Sequence, residues 1–190
     1  MRPVRTRRVR PVMATEQPGR VSAEVALEEL YAAHWRSLVR LSVLLVRDQG
    51  TAEEVVQDAY VALYRRWDRL RDHGQALAYL RQSVVNGSRS VLRRRGTAQR
   101  WLAREAGSVP RLEVATDPAD ANARRSAVLD AMAGLPERQR EVLALRYYLD
   151  LSEAEIAEAL GIAAGTVKSH ASRGAEALRA ALGPQLEELS

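Results

Sequence analysis

Near the carboxyl end, Thr166, Lys168, Ser169, His170 and Arg173 fall mostly off the apolar face that Val167, Ala171, Ala175, Leu178 and Leu182 define at helical spacing. Hydroxyl, imidazole and cationic groups gathered on one side of a helix suit hydrogen bonding to base edges and phosphate oxygens. Taken singly, Lys168 and Arg173 are also what any solvated surface carries. Their setting separates the two readings.

That setting is a short helix, a turn and a second helix. Ser152 and Glu155 form a capping box, in which the hydroxyl takes the N–H of Glu155 and the carboxylate reaches back to the N–H of Ser152. Ile156, Ala157 and Leu160 then face inward, Gly161 supplies the left-handed turn, and Ile162 plugs the angle before a helix from about Ala164 to Ala181. Upstream, Pro136 suits the first position of a helix carrying Val142, Leu145 and Leu149. A capped short helix, a glycine turn and a donor-rich helix make a helix-turn-helix, whose last helix meets DNA. Two local features weaken it. Ala163 offers no capping oxygen, a loss of about 1 kcal/mol, and Gly174 in mid-helix costs roughly 0.8 to 1 kcal/mol against Ala.

Charge is distributed unevenly. Residues 1–23 hold six bases and one acid, residues 24–95 twelve and nine, residues 96–134 five and five, and residues 135–190 six and nine. The net +5 therefore equals the excess of the amino-terminal segment. Lys168 is the only lysine, so arginine abundance reflects coding bias more than function. In the acidic carboxyl part, Glu137, Glu141, Glu153, Glu155 and Glu158 precede the donor-rich helix, which predicts that the earlier helices turn away from phosphate. With 46% hydrophobic residues, no Phe and 5% aromatics, the core must be built from Leu, Val, Ala and a few Trp and Tyr, as in small helical bundles. Without cysteine there is no disulfide framework or thiolate metal site, and no apolar run nears the ~18 residues of a membrane span. A cytoplasmic protein is expected.

Taken in order, residues 1–23 read as a disordered basic tail without the apolar core of a signal peptide. Met13 offers a second start, so the tail reads equally as a phosphate-touching arm or as untranslated sequence. Residues 24–95 read as a three-helix bundle. The first helix places Leu27, Leu30, Tyr31, Leu38, Leu41 and Leu45 on one side, and Thr51 with Glu54 predicts a capping box for a second carrying Val56, Ala59, Tyr60, Leu63 and Trp67. The third, from about Gln75 to Arg95, carries Leu77, Leu80, Val84 and Val91 inward and a polar stripe of Gln82, Asn86, Arg89 and Arg93 on another face. Residues 96–123 read as a flexible linker able to reach about 90 Å. A second helical domain, 124–184, begins with a helix stopped by Gly134.

Three ordered blocks, TAEEVVQDAYVALYRRWDRL, AYLRQSVVNGSRSVLRRR and LPERQREVLALRYYLDLSEAEIAEALGIAAGTVKSHASRG, resemble bacterial RNA polymerase sigma factors of the extracytoplasmic-function class, notably the actinobacterial sigma-E group, across about Leu27 to Leu182. The resemblance implies an all-α fold with sigma domain 2 in the first bundle and sigma domain 4 in the last. It implies that Glu54, Gln57 and Asp58 dock on the clamp helices of core polymerase. Gln82, Asn86, Arg89 and Arg93 would meet the minus-ten element, and Thr166, Lys168, Ser169, His170 and Arg173 the minus-thirty-five element. On its own, the acidic start of the second helix reads as charge favouring the helix dipole.

The implied activity is binding, with core polymerase, promoter DNA and an anti-sigma factor as partners. No enzymatic chemistry and no cofactor are expected: His34, His73 and His170 are scattered without metal spacing, and no Gly-rich phosphate loop occurs. Two other readings stand. LSEAEIAEALGIAAGTVKSH also resembles the helix-turn-helix of autonomous regulators, which usually carry a receiver domain of alternating strands and helices; residues 24–95 show only helical patterns. A sigma-like protein that binds polymerase or an anti-sigma factor without reading promoters fits the same residues.

Overall fold

The computed structural model describes residues 18–70, 72–106 and 120–188, with side chains described over 23–70, 72–98 and 126–183. Every regular element among them is helical: α1 (Pro18–Val46), α2 (Gln49–Arg66), α3 (Ala76–Ala106), α4 (Asp120–Gly134), α5 (Glu137–Leu143), α6 (Glu153–Leu160) and α7 (Ala164–Glu188), with two 3-10 turns between α2 and α3 and a π turn after α5.

The first three helices pack on one another through the faces that periodicity predicts. Leu38, Leu41, Val56, Leu63, Leu80 and Val84 are fully enclosed, and Trp67 seals the end of α2. Tyr60 is buried and its hydroxyl donates to the Leu30 carbonyl at 3.0 Å; burial, with a smaller contribution from Tyr31, pushes its pKa up to about 12. Tyr31 differs from expectation: it stacks on Trp35 at 4.7 Å yet remains exposed. Helices α2 and α3 approach closely where Gly87 faces Val55, since a β-carbon at Gly87 would lie 2.9 Å from Val55 Cγ1.

The expected capping box of Thr51 and Glu54 does not form. Helix α1 ends with Arg47 at φ 60, and Asp48 returns to extended backbone as the N-cap of α2, accepting from the Thr51 N–H at 2.8 Å and from its hydroxyl. An ionised carboxylate is the stronger acceptor for these orphan donors, so Thr51 becomes a donor within the first turn. Helix α3 also runs past Arg95 to Ala106. One glycine at position 96 weakens a helix by only about 1 kcal/mol, and the flanking turns are held by Arg95, which donates to the Val46 carbonyl at 3.1 Å and to Thr51 Oγ1 at 2.6 Å. The expected linker 96–123 is thus helical at both ends, with 107–119 outside the described residues. Of the expected tail, 1–17 lie outside them and Pro18–Ala23 begin α1.

In the carboxyl half Pro136 is the N-cap of α5 rather than its first residue, at φ −52 and ψ 141, and its carbonyl accepts from Arg140 N–H at 3.0 Å. The turn Ala144–Tyr148 widens to π geometry before Asp150, at φ 51, leads into the Ser152–Glu155 capping box. Both bonds of that box are present, and Gly161 adopts φ 63, as the sequence predicts. Gly174 has a reason that helix propensity hides: a β-carbon there would lie 3.1 Å from Gln139 Cβ and Leu143 Cδ1, so its absence lets α7 settle on α5.

The two halves share one buried cluster. Helix α1 meets α4 and the π turn, while α3 meets α6. Across this seam the half-buried Arg140 donates to the carbonyls of Leu45 at 3.1 Å and Leu135 at 3.2 Å, and Arg47 pairs with Asp130. Burial holds the Arg140 pKa below the usual guanidinium value.

Candidate nucleic-acid and partner interfaces

The three polar faces singled out in the sequence lie on three different helices, and the fold treats them unequally. On α7, Thr166, Lys168, Ser169 and Arg173 are exposed near the helix start. Arg173 donates to Ser169 Oγ at 2.7 Å and to the Ser169 carbonyl at 3.3 Å, joining hydroxyl and guanidinium into one donor unit. His170 is half-buried, and its Nδ1 is enclosed with no hydrogen-bond partner among the described residues. Helix α6 braces this face from below through Ile156 and Leu160, and Val167 and Ala171 complete the contact.

On α2, Glu54, Gln57 and Asp58 are exposed, as is Glu53. Sequence reasoning stopped at the polar residues and missed two apolar ones on the same face. Val61 and Tyr64 remain 40% and 44% exposed although the opposite side of α2 is fully packed. The available signal was spacing, with Val61 three and four residues beyond Asp58 and Gln57 and Tyr64 three beyond Val61, because a large apolar side chain off the core stripe has no packing reason to be there.

The stripe on α3 is divided. Gln82, Asn86 and Arg93 are exposed, but Arg89 is engaged across the seam by α5. Its Nε donates to Glu141 Oε1 and its Nη2 to Glu141 Oε2 at 2.7 Å, a fork-on-fork pair, while Glu137 lies 3.5 Å from the same guanidinium. Glu141 is 2% exposed and also accepts from Arg138 at 3.2 Å; Asn86 accepts from Arg89 Nη1 at 3.0 Å. The adjoining space between Leu45, Ser88, Leu92 and Arg140 is too small for a water molecule. Further along the seam Arg81 lies 3.8 Å from Glu155, and a cleft of about 730 Å³ between α3 and α6 is lined by Arg66, Arg81, Gln82, Glu155 and Glu158. The carboxyl-half acids therefore do not all turn outward: Glu137, Glu141 and Glu155 face arginines of α3. The cause is complementarity, since the basic stripe is the nearest opposite charge and a buried carboxylate needs such a partner.

Among the described residues no three His, Cys, Asp or Glu side chains gather to hold a metal ion, and no helix is long and apolar enough to cross a membrane.

Two family models match this chain in order: Sigma-70 region 2 over residues 30–98 and Sigma-70, region 4 over residues 125–178. The chain is 33% identical over 156 residues to the RNA polymerase sigma-E factor of Streptomyces antibioticus, covering 80% of this chain and 82% of that one. It is 33% identical over 168 residues to the ECF RNA polymerase sigma factor SigL of Mycobacterium tuberculosis, covering 86% and 93%. Its fold is similar to that of CnrH in complex with the cytosolic domain of CnrY, with a TM-score of 0.65 at 21% identity over 88% of this chain and 99% of that one. The sigma factor RpoE of Bartonella quintana, in complex with the anti-sigma factor NepR, gives 0.63 at 24% identity over 86% and 95%.

Proposed function

Because the chain belongs to the sigma-70 family, within the extracytoplasmic-function class of RNA polymerase sigma factors, we propose that it binds core RNA polymerase and directs promoter-specific initiation through two DNA-contacting domains. The observation that carries this reading is the pairing of the two matched regions with separate exposed faces: α2 within region 2 and the start of α7 within region 4.

In this reading residues 24–95 serve polymerase and the minus-ten element, and residues 124–184 serve the minus-thirty-five element. Glu54, Gln57 and Asp58, extended by Val61 and Tyr64, form a docking face that is acidic towards the start of α2 and apolar towards its end, with an aromatic side chain of the kind enriched at protein interfaces. Gln82, Asn86, Arg89 and Arg93 supply donors to the minus-ten strand, and Thr166, Lys168, Ser169 and Arg173 approach the major groove, with His170 contributing less because its ring is half-enclosed. The two elements lie about two helical turns apart, some ~70 Å, so the two halves must separate to reach both. Each contact alone is weak; core polymerase makes the second one effectively intramolecular. The chain acts by binding, leaves bond chemistry to polymerase and works in the cytoplasm where polymerase is. An anti-sigma factor is the natural further partner, as RpoE has one in NepR.

Run-off transcription by purified core polymerase on fragmented genomic DNA, with and without the chain, tests this. New discrete transcripts only when both are present are expected. Sequence-specific promoter binding by the chain alone, unchanged by core, would instead indicate an autonomous regulator.

A further inference from the structure

We propose that α5 carries a built-in competitor for the minus-ten strand: Glu141, assisted by Glu137, occupies Arg89 as a phosphate would, and so latches the carboxyl half over the α3 stripe until polymerase draws the halves apart. The proposal rests on the reading of Arg89 as a DNA contact.

Four observations converge on it. Arg89 is the stripe residue tied down in a fork-on-fork bond, and the group that holds it comes from the other half of the chain. Glu141 is 2% exposed, so its charge has no solvent route and depends on Arg89 and Arg138 for compensation. A carboxylate in bidentate contact with a guanidinium satisfies the donors that would otherwise clamp a phosphate, so a backbone oxygen cannot be accommodated at the same time. Lastly, the seam is reinforced on either side by Arg81 with Glu155 and by Arg47 with Asp130, which places the latch within a closed charge row.

The same geometry indicates how the latch is released. The α2 face, with Glu54, Gln57, Asp58, Val61 and Tyr64, stays exposed while Arg89 is held. Polymerase can therefore engage the closed chain first. A partner that also binds the carboxyl half at a fixed distance then shifts the population toward the open form, in proportion to its preference for that form.

The chain has no cysteine, so introduced pairs can be labelled cleanly. Arg36→Cys on α1 and Glu176→Cys on α7 are exposed sites on the two halves, and single-molecule energy transfer between them reads the separation. Binding of the full chain to a 20-nucleotide oligo-dT, titrated with salt, reads the freed phosphate contact. Glu141→Gln, which keeps shape and removes charge, is expected to populate a longer separation, raise oligo-dT affinity about tenfold and steepen the salt slope by about 0.7, one single-strand phosphate contact. The exchange Arg89→Glu with Glu141→Arg is expected to restore the short separation without the gain in DNA binding, and it tests the latch independently should the single variant fold poorly. An unchanged separation in Glu141→Gln, or an open one in the exchange, would overturn the latch while leaving the promoter reading intact. Opening without any gain in affinity would overturn the competition and remove Arg89 from the DNA contacts. Loss of run-off activity by the wild-type chain would count against the sigma reading alone.

Discussion

The outer face of α2 and the polar stripe of α3 lie on adjacent helices of one bundle, but only one of them is free. Glu54, Gln57 and Asp58 stand in solvent with Val61 and Tyr64 beyond them, whereas Arg89, within the α3 stripe, is half-buried and paired with Glu141. The difference comes from sign. An acidic and apolar face finds nothing complementary in the acidic carboxyl half, while a basic stripe finds Glu137, Glu141 and Glu155. Charge that favours DNA also favours an internal substitute for it, so a chain carrying both signs can regulate its own basic face.

The largest expected effect lies on the free face. Asp58→Arg with Gln57→Ala should weaken association with core polymerase by about 2 to 5 kcal/mol, since a reversed charge at a contact leaves two like charges facing each other. Neither side chain packs in the core, so the helical circular dichroism spectrum should be preserved. A pull-down with core checks it, and full retention would remove these residues from the interface and leave the α2 face without an assigned partner.

How much of this contrast was legible beforehand differs by element. The Ser152–Glu155 box, the Gly161 turn, the buried stripe of α2 and the centres of those on α3 (Leu80, Val84) and α7 (Val167, Ala171) were readable, because each is fixed by residues within one or two turns, whereas Leu77, Val91, Ala175, Leu178 and Leu182 are only half-buried. The Thr51 box was misread because its signature was satisfied by Asp48, three residues earlier, a competition between two acceptors that pattern alone does not rank. Gly174 read as a defect because its benefit lies in α5, 31 to 35 residues upstream at Leu143 and Gln139. Glu141 was the deepest miss. In sequence it groups with Glu137, Glu153, Glu155 and Glu158 as charge that turns the earlier helices away from phosphate, and only the approach of α3 makes it a buried counter-ion. Local chemistry is written in sequence; long-range pairing of charges needs the fold.

A middle-sized effect concerns the face of α7 that carries Thr166, Lys168, Ser169 and Arg173, which is exposed among the described residues. Lys168→Ala should lower affinity for all promoters and flatten the salt slope by about 0.9 if Lys168 meets one duplex phosphate, whereas a base contact would change which promoters are chosen. Salt-titrated open-complex assays with polymerase distinguish these outcomes. Indifference at both Lys168 and Arg173 would return them to ordinary solvated surface.

The smallest effect compares the two carboxylates that start helices in the two halves. The hydroxyl of Thr51, then its N–H and the nearby Arg95, hold the Asp48 carboxyl below its usual 3.8. The hydroxyl and N–H of Ser152, at 2.7 and 2.9 Å, hold Glu155 below its usual 4.5, with a smaller pull from Arg81 across the seam. Both pKa values are depressed by folding, so each group contributes stability fully above its unfolded pKa and loses it as pH falls through the folded one. Thermal midpoints should therefore drop as pH is lowered below about 5, and Asp48→Asn or Glu155→Gln should each remove part of that slope while lowering the midpoint at neutral pH. Both groups are exposed and solvent screens them, so the change should be modest beside those on α2 and α7. Glu155→Gln carries an extra signature, because it also removes the charge facing Arg81. If the seam is closed by charge, this variant alone should add salt sensitivity to the separation of the halves, and Asp48→Asn should not. Equal salt behaviour of the two variants would assign Glu155 to its helix cap alone and confine the electrostatic closure to Arg89, Arg47 and their partners.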